Sequence, residues 1–356
     1  MLSESNPIAK AALNVLVLSD GRPGHFNKSK TILRALRQHY AVAETWMEIR
    51  LRLGLFRYPV AVLINGTAPS KAFSYALPLL YSGYKTQGKV DLVLSTGGNT
   101  LYANVLISRA HDCRSFFVGH PRSVRPEKVW RILHPHYFEP SPPFIHWPRT
   151  LVDIEVKELE QEARQKLPKL TLPDESLCAL LVGGNGGGYT YTRQDFIDLA
   201  KMVESTSQSR GIRWLVVSSR RTGEENEKLL RSLIHPDCLA GSSWTTDKGP
   251  NLYRAFLGAA SKIVCTEDSE MMMAEGIEAG KPVCLIRPDR GQSAHEDRLK
   301  IYEAEGSIER MTIQHCLERG PHWPTSKRST HDQSLTTLGN LLAREWESAN
   351  QTSWKI

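Results

Sequence analysis

The chain has 356 residues, enough for two domains of ordinary size with a substantial core in each. Its 45 basic and 38 acidic residues give a formal charge of +7 that is spread along the chain, so we expect an anionic partner, such as a phosphorylated substrate or an anionic membrane surface, rather than nucleic acid. No run of about 18 apolar residues occurs, which argues against a membrane-spanning helix.

The cysteine pattern indicates a reducing compartment. Six cysteines lie far apart without a C-x-x-C pair, and three of them fall inside apolar runs. We therefore expect reduced, buried thiols. Because no long apolar region opens the sequence, we also expect a cytoplasmic protein, with peripheral binding to the inner face of the membrane as an additional option.

The first chemical motif follows a predicted strand at Asn14–Ser19. Residues 20–25 read DGRPGH, and a helical pattern runs from Lys28 to Gln38. Asp20 and His25 therefore lie at the carboxyl end of a strand, where open α/β sheets bind ligands. The alternative for His25 is a contact with the helix N-terminus that has no chemical role.

The rest of the first half continues the alternation of strands and helices. We predict strands at Val60–Ile64, Val90–Ser95 and Phe116–Gly119. Ala72–Tyr84 is apolar and aromatic, which favours a core helix. Because lysines flank this segment, the alternative is a patch that faces a lipid-linked acceptor at a membrane surface.

A histidine pair raises the question of a metal. His134 and His136 alternate as residues on one face of a strand do, but prolines interrupt the region and no third ligand has a suitable spacing. We therefore expect no metal.

Proline-rich stretches separate the two halves. Prolines are dense from Glu139 to Pro148, a charged helical segment follows at Asp153–Lys166, and prolines recur up to Pro173. The predicted organisation is an N-terminal Rossmann-like domain, a linker, a C-terminal Rossmann-like domain and a final helix that packs back across the hinge, at residues 1–140, 141–176, 177–330 and 331–356 respectively. Alternating helices and strands predict an α/β fold with a parallel sheet in each domain and a cleft between the domains.

A glycine loop opens the second half. The apolar run Cys178–Val182 is followed by GGNGGG at residues 183–188, and Thr192 and Asp195 have the spacing of a capping box. Glycines allow close approach to a ligand, and the helix N-terminus that follows favours anions. The pattern matches neither the dinucleotide fingerprint nor the P-loop. The alternative is a flexible surface turn.

Two further loops are predicted to meet the glycine loop at the same sheet edge. SSRRT at 218–222 offers Ser219, Arg220 and Arg221, whose guanidinium groups suit phosphates. TEDS at 266–269 offers Thr266 and Ser269, although the Ser269 hydroxyl has the alternative role of a helix cap. Glu275 lies on an otherwise apolar helix, which suits a carboxylate that accepts two ribose hydroxyls; the alternative is a solvated position.

These motifs together resemble the mitochondrial-fission (elongated-mitochondria, ELM-like) protein family over roughly residues 13–310. The resemblance rests on DGRPGH at 20–25, SRRT at 219–222 and TEDSEMMMAEGIEAGKPV at 266–283. That family resembles the GT-B glycosyltransferases, which have two Rossmann-like domains and bind a nucleotide-sugar on the C-terminal one. The similarity implies that Gly186, Gly187 and Gly188 form the diphosphate loop, that Ser269 and Glu275 belong to the donor site, and that His25 acts as a base.

The leading hypothesis is therefore a glycosyltransferase that moves a sugar from a nucleoside diphosphate to a hydroxyl on a glycan or lipid-linked acceptor. No D-x-D motif occurs, so we expect a metal-independent reaction without a bound cofactor. His25 would deprotonate the acceptor, and Asp20 would orient the imidazole or act as the base itself. Two alternatives stay open: a nucleotide-sugar epimerase of the same fold, and a non-catalytic scaffold that has kept the fold.

Overall fold

The chain folds into two compact units, each built around one parallel sheet. The computed structural model describes residues 10–52, 57–66, 73–85, 88–134, 141–325 and 331–351. The first unit comprises Met1–Asp153 and Leu335–Ile356, and the second comprises Ile154–Ser334.

The first unit alternates strands and helices from its first strand onward. Its elements in chain order are β1 (Ala12–Ser19), α1 (Pro23–Arg37), β2 (Ala41–Glu48), β3 (Arg50–Leu51), α2 (Arg57–Gly66), α3 (Phe73–Leu80), β4 (Tyr81–Ser82), β5 (Leu92–Thr96), α4 (Leu101–His111), β6 (Arg114–Val118), β7 (Arg131–Leu133) and β8 (Phe144–Ile145). Six strands form a parallel sheet in the order β2-β1-β5-β6-β7-β8, and β3 and β4 form a separate antiparallel pair.

Helices cover both faces of this sheet. Val15 and Val17 pack with Ile32 of α1, whereas Leu16 belongs to a second cluster with Leu106 of α4. Successive residues of a strand point to opposite faces, so a strand buried on both sides needs apolar residues throughout. The continuous apolar run of β1 meets that requirement.

One of the predicted elements in this unit needs correction. Val60–Ile64 was expected to be a strand, but it lies within helix α2. Val60 and Ile64 are buried and Val62 is exposed, which is the spacing of one helix face. A short run of β-branched and apolar residues does not by itself distinguish a strand from a helix. The apolar segment Ala72–Tyr84 contains helix α3 and continues into β4.

The second unit repeats the same alternation. Its elements are α5 (Val156–Lys166), β9 (Leu177–Val182), α6 (Arg193–Arg210), β10 (Arg213–Ser218), α7 (Glu224–Leu233), β11 (Leu239–Ser243), α8 (Tyr253–Ala259), β12 (Lys262–Thr266), α9 (Glu270–Glu278), β13 (Val283–Arg287), α10 (Glu296–Ala304), β14 (Ile308–Thr312) and α11 (Ile313–Arg319). The parallel sheet has the order β11-β10-β9-β12-β13-β14, so the prediction of a Rossmann-like parallel sheet in each half is confirmed.

Sheet topology selects one edge of each unit for ligands. The strand order reverses between β1 and β5 in the first sheet and between β9 and β12 in the second. Open α/β sheets bind ligands at the carboxyl ends of the strands beside such a reversal. The loops concerned are residues 20–22 and 97–100 in the first unit, and 183–192 and 267–269 in the second.

The division between the units falls inside the stretch that the sequence assigned to a linker, residues 141–176. Phe144–Ile145 is the last strand of the first sheet, and α5 packs against α8 in the second unit. A Cβ at Gly258 would lie 2.1 Å from the Leu159 carbonyl oxygen, so glycine permits this close helix crossing. The final helix, α12 (His331–Gln351), contributes Leu338 and Leu342 to the core of the first unit.

A helix that spans a bilayer is both long and predominantly apolar. Among the helices that the structure describes, none is both long and apolar enough to cross a bilayer.

Candidate functional site

A histidine–aspartate pair occupies the carboxyl edge of the first sheet. The Nδ1 atom of His25 lies 3.0 and 3.1 Å from the two carboxylate oxygens of Asp20. The Asp20 side chain is 4% exposed and the His25 side chain 27% exposed. Because the carboxylate accepts the proton of Nδ1, the neutral imidazole presents an unprotonated Nε2. This is the arrangement of a general base with an orienting carboxylate.

The turn after β5 lies against His25 and against one further side chain, Arg122. A Cβ at Gly97 would lie 2.2 Å from Cε1 of His25, and a Cβ at Gly98 would lie 2.3 Å from Nε of Arg122. Glycine at both positions therefore lets the imidazole and the guanidinium lie directly against the turn. Arg122 itself has a left-handed φ of 53°. The sequence analysis did not select Arg122; an arginine directly after a buried strand, in HPR, was the available signal.

The glycine loop of the second unit is held by side chains from the neighbouring strand end. The N–H of Gly183 donates to the Thr266 hydroxyl at 2.6 Å, and the N–H of Gly184 donates to Asp268 at 3.1 Å. Thr266 was predicted as a binding residue, and the structure shows its hydroxyl engaged with the loop backbone. The strand order places β9 beside β12, so these contacts follow from the sheet.

Close backbone packing explains why the loop is rich in glycine. A Cβ at Gly184 would lie 2.0 Å from the Arg221 carbonyl oxygen, and one at Gly187 would lie 2.6 Å from the Asp268 carbonyl oxygen. A Cβ at Gly188 would lie 2.0 Å from the carbonyl oxygen of Gln292. Gly186, Gly187 and Gly188 all have positive φ. The loop is therefore a fixed element in which three other loops meet, which disfavours the alternative of a flexible turn.

The helix after the loop is capped as the sequence predicts. The N–H of Thr192 donates to the Asp195 carboxylate at 2.6 Å, which completes the capping box at the start of α6. Arg290 also pairs with Asp195. Within the loop, the side-chain oxygen of Asn185 accepts a hydrogen bond from the N–H of Tyr191 at 2.8 Å. Asn185 thus helps to shape the loop.

The two candidate arginines in the loop after β10 have different surroundings. Nη2 of Arg221 lies 2.9 Å from the carboxylate of Asp268, beside the glycine loop, whereas Arg220 lines a cavity. Ser219 accepts a hydrogen bond from the N–H of Arg221, and the Thr222 hydroxyl donates to the carbonyl of Gly183 at 2.7 Å. Thr222 therefore attaches this arginine-bearing turn to the glycine loop, and Ser219 closes the turn itself.

A cavity of about 580 Å³ lies beside this turn, entirely within the second unit. Glu275 lines it, and the Tyr253 hydroxyl donates to Oε2 of Glu275 at 2.5 Å. Burial raises the pKa of the Glu275 carboxyl, against the opposing effects of Tyr253 and Arg254. The helix position that the sequence selected for its polarity is thus a cavity-facing carboxylate rather than a solvated one. The other lining residues are Val217, Ser218, Ser219, Arg220, Ser242, Ser243, Trp244, Thr245, Asp247, Gly249, Pro250, Asn251, Leu252, Tyr253 and Met272.

A buried glutamate that the sequence analysis missed anchors one wall of this cavity. The Glu227 carboxylate is fully buried and accepts hydrogen bonds from the hydroxyls of Ser218, Thr245 and Thr246 and from the N–H groups of both threonines. Burial alone would raise the pKa of Glu227, but these hydrogen bonds outweigh it and hold the pKa below its usual value. In the sequence, Glu227 is one of several charges on a polar helix, so no pattern marked it.

The helix that begins after TEDS places its cap at the same edge. Ser269 is the N-cap residue of α9 and is buried, yet its hydroxyl makes no capping hydrogen bond. The role of a simple helix cap, which was the alternative from the sequence, is therefore absent. The loop of residues 288–295 also reaches the glycine loop, because the N–H of Ala294 donates to the Gly187 carbonyl at 2.8 Å. The sequence analysis did not include this loop.

Metal ions in proteins are held by clusters of His, Cys, Asp or Glu side chains. No group of three or more His, Cys, Asp or Glu side chains that could hold a metal occurs within the described ranges. Of the two histidines weighed as ligands, His134 packs against the ring of His120 at 5.1 Å, and His136 lies outside the described residues.

Two parallel Rossmann-like sheets, with a cavity and a glycine loop at the carboxyl edge of the second, define a GT-B-like protein. Within that class, the chain belongs to the mitochondrial fission ELM1 family, whose sequence profile matches residues 23–332. No curated protein matches the sequence significantly.

Three of the solved structures that this chain resembles are two UDP-GlcNAc 2-epimerases and an ADP-heptose heptosyltransferase. The UDP-GlcNAc 2-epimerase of Methanocaldococcus jannaschii is 12% identical, with 94% of this chain and 99% of that chain covered and a TM-score of 0.57. The UDP-GlcNAc 2-epimerase of Neisseria meningitidis bound to UDP-GlcNAc is 13% identical, with 95% and 100% covered and a TM-score of 0.56. The E. coli ADP-heptose LPS heptosyltransferase II is 10% identical, with 94% and 100% covered and a TM-score of 0.49. At these identities the similarity establishes the fold.

Proposed function

We propose that the second unit binds a nucleoside-diphosphate sugar and that the protein transfers the sugar to a hydroxyl group of a glycan or lipid-linked acceptor. The observation that carries the proposal is the cavity of about 580 Å³, which has Glu275 in its wall and lies beside the turn that packs on the glycine loop. Its size is in the range of small-molecule sites. The absence of a D-x-D motif in the sequence favours a donor site without a bridging metal.

Different side chains at this sheet edge bind the ribose and the diphosphate of the donor. Tyr253 holds one oxygen of Glu275, which orients the carboxylate to accept the hydroxyls of a ribose. Arg220 at the cavity and Arg221 at the glycine loop supply positive charge for the diphosphate. The same charges would stabilise the diphosphate as it leaves the sugar.

Acceptor activation is assigned to the first unit. Asp20 fixes the Nδ1 proton of His25, so Nε2 takes the proton of the acceptor hydroxyl as the hydroxyl attacks the sugar. Because both Asp20 oxygens face the imidazole and the carboxylate is nearly shielded from solvent, we assign Asp20 the orienting role and not that of the base.

A thermal-shift panel with UDP, GDP, CMP, ADP and their sugars tests donor binding. UDP and UDP-GlcNAc come first, because a solved neighbour is bound to UDP-GlcNAc. A ligand at a hundred times its Kd stabilises by about 2.7 kcal/mol, which is large enough to measure. We expect selective stabilisation in the wild type and in Glu225→Ala, an exposed control on α7, and its loss in Glu275→Ala. The absence of any shift across the panel would contradict the donor site and favour the scaffold alternative.

The epimerase alternative needs a separate measurement. The donor identified by the panel is incubated without an acceptor, and the sugar is analysed by NMR. A transferase leaves the sugar unchanged apart from slow hydrolysis, whereas conversion to an epimer without an acceptor would overturn the proposed transfer while leaving the donor site in place.

A further inference from the structure

A buried carboxylate lies in the floor of the glycine loop. The side chain of Asp268 is 0% exposed. Its Oδ2 atom accepts hydrogen bonds from the N–H of Gly184 and pairs with Arg221, but Oδ1 is buried without a hydrogen-bond partner within the described part of the chain. A buried carboxylate with one unsatisfied oxygen is costly, so its retention at this place calls for a reason.

No side chain separates this carboxylate from the loop. A Cβ at Gly183 would lie 2.2 Å from Oδ1 and 2.3 Å from Oδ2 of Asp268. The backbone of Asp268 is also in contact with Gly187. A diphosphate held by the glycine loop therefore meets the negative charge of Asp268 at close range, and two like charges in a poorly solvated place disfavour each other.

Arg221 is the cation that balances this charge. Its side chain is 42% exposed, so the guanidinium has room to move, and its Cδ would lie 3.2 Å from a Cβ at Gly186 on the loop. The other titratable neighbours of Asp268 do not supply positive charge. Glu267 is already paired with Arg310, and burial raises the pKa of Tyr191 and of Cys265, which keeps both neutral.

We infer that Asp268 is a positioning residue that holds Arg221 at the glycine loop in the empty protein and releases it to the incoming diphosphate. As Arg221 turns to the phosphates, Asp268 takes up one proton from the solvent on a carboxylate oxygen, and Arg221 keeps its charge throughout. The inference rests on the proposed donor site and adds that occupation of this site is coupled to protonation.

The coupling has a definite sign. Burial raises the pKa of Asp268 in the empty protein, with Arg221 and the hydrogen bonds opposing that rise. Loss of Arg221 and arrival of the diphosphate both raise the pKa further. The interval between the Asp268 pKa of the empty protein and that of the protein with bound diphosphate is where pH matters. Within it, binding of a nucleoside diphosphate tightens as the pH falls, by up to about tenfold per pH unit for one proton. Above and below that interval the affinity is independent of this group.

Isothermal titration of UDP tests the coupling directly. Titrations at one pH in two buffers with different ionisation enthalpies give the number of protons taken up, and a series of pH values locates the interval. We expect the wild type to approach about one proton per UDP at the most favourable pH. Asp268→Asn should bind UDP without proton uptake, and Asp289→Asn, which removes an exposed acid from the nearby loop, should behave as the wild type.

A second variant covers the case in which Asp268→Asn does not fold. In Arg221→Gln, Asp268 has lost its cation before UDP binds, so the pH interval of proton uptake should begin at a higher pH and be narrower than in the wild type, and the affinity should fall. Inorganic pyrophosphate serves as a probe that needs no base pocket, and the difference in proton uptake between the wild type and Arg221→Gln should be the same as with UDP.

The outcomes separate the two proposals. UDP binding without proton uptake at every pH, uptake that persists in Asp268→Asn, or uptake in Arg221→Gln over the same pH interval as in the wild type would overturn the coupling and leave the donor site standing. The absence of binding by UDP, pyrophosphate and every other nucleotide of the panel would overturn both the coupling and the proposed donor site.

Discussion

The two units share one architecture but use glycine differently at the edge where ligands are expected. In the second unit, the space that a Cβ would need at Gly184 and Gly188 is occupied by backbone atoms of other loops. In the first unit, the corresponding space at Gly97 and Gly98 is occupied by the side chains of His25 and Arg122. Packing of backbone against backbone makes the glycine loop at residues 183–188 rigid. Glycine beneath a side chain instead lets a reactive group lie against the turn.

This difference matches the roles proposed for the two units, which are proton transfer in the first and donor binding in the second. A rigid loop beside a carboxylate–arginine pair suits binding of a defined anion, since little of the backbone has to be reorganised. A half-exposed imidazole oriented by a buried aspartate suits proton transfer to a varied acceptor. The predictions below change one edge at a time.

The largest effect should follow from removing the imidazole of the first unit. We expect His25→Ala to lower the rate of sugar transfer by about a hundred- to ten-thousand-fold, because general-base catalysis is lost. Nucleotide stabilisation in thermal shift should be unchanged, since the donor is held by the second unit. His315→Gln, an exposed histidine on α11, is the control. A variant with full activity would remove His25 from the mechanism.

Alanine at the glycines should separate backbone packing from open space. Gly184→Ala forces a Cβ against the Arg221 carbonyl and should destabilise the protein by about 2 to 4 kcal/mol, as overpacking does. Gly24→Ala in α1 of the first unit meets nothing within 4 Å and should be neutral or stabilise by up to about 1 kcal/mol. Chemical denaturation measures both. Equal changes in the free energy of unfolding for the two variants would mean that the glycine loop is not rigid.

Glu227 tests the wall of the cavity. Glu227→Ala leaves the buried hydroxyl of Ser218 and the N–H of Thr246 without their acceptor and should cost about 2 to 3 kcal/mol. The folded state lowers the pKa of Glu227, so its stabilisation is complete above the unfolded pKa and is lost as the pH falls through the folded pKa. Denaturation over a pH series, with exposed Glu224→Ala as the control, should show a smaller acid dependence in Glu227→Ala than in the wild type.

The smallest expected effect concerns the helix cap behind the glycine loop. Asp195→Ala removes the acceptor for the Thr192 N–H and should destabilise by about 1 kcal/mol. Asp198→Ala, three residues along the same helix, should cost less, because its polar partners in the described part of the chain are the exposed side chains of Gln194 and Lys201. If both substitutions cost the same, the capping box does not anchor the loop.

Much of the fold could be predicted from local patterns. Runs buried on both faces, such as residues 177–182 and 263–265, are apolar throughout and are followed by glycine or polar residues, so strands and loops could both be identified. The strands at Ala41–Glu48 and Leu239–Ser243 escaped prediction, because they lie at the sheet edges and carry many polar or exposed residues. Their place depends on pairing with β1 and β10, which are distant in sequence.

The residues of the candidate site also differ in whether local sequence could identify them. His25 and Asp20 are five residues apart and Glu275 is a carboxylate on an apolar helix, so local sequence pointed to each of them. Arg122 and Glu227 acquire their meaning from contacts across the sheet edge, which a linear pattern does not show. The separate placement of Arg220 at the cavity and Arg221 at Asp268 likewise required the structure.

By itself, the sequence determined that this protein has two parallel α/β units and glycine turns after buried strands, because strand burial and turn geometry are set by residues adjacent in the chain. Only the tertiary structure decided what the glycines accommodate. In the second unit they admit the backbone of other loops and the carboxylate of Asp268, and in the first they admit His25 and Arg122. Those neighbours come from different strand ends, so their proximity depends on strand order and register, which local sequence patterns leave undetermined.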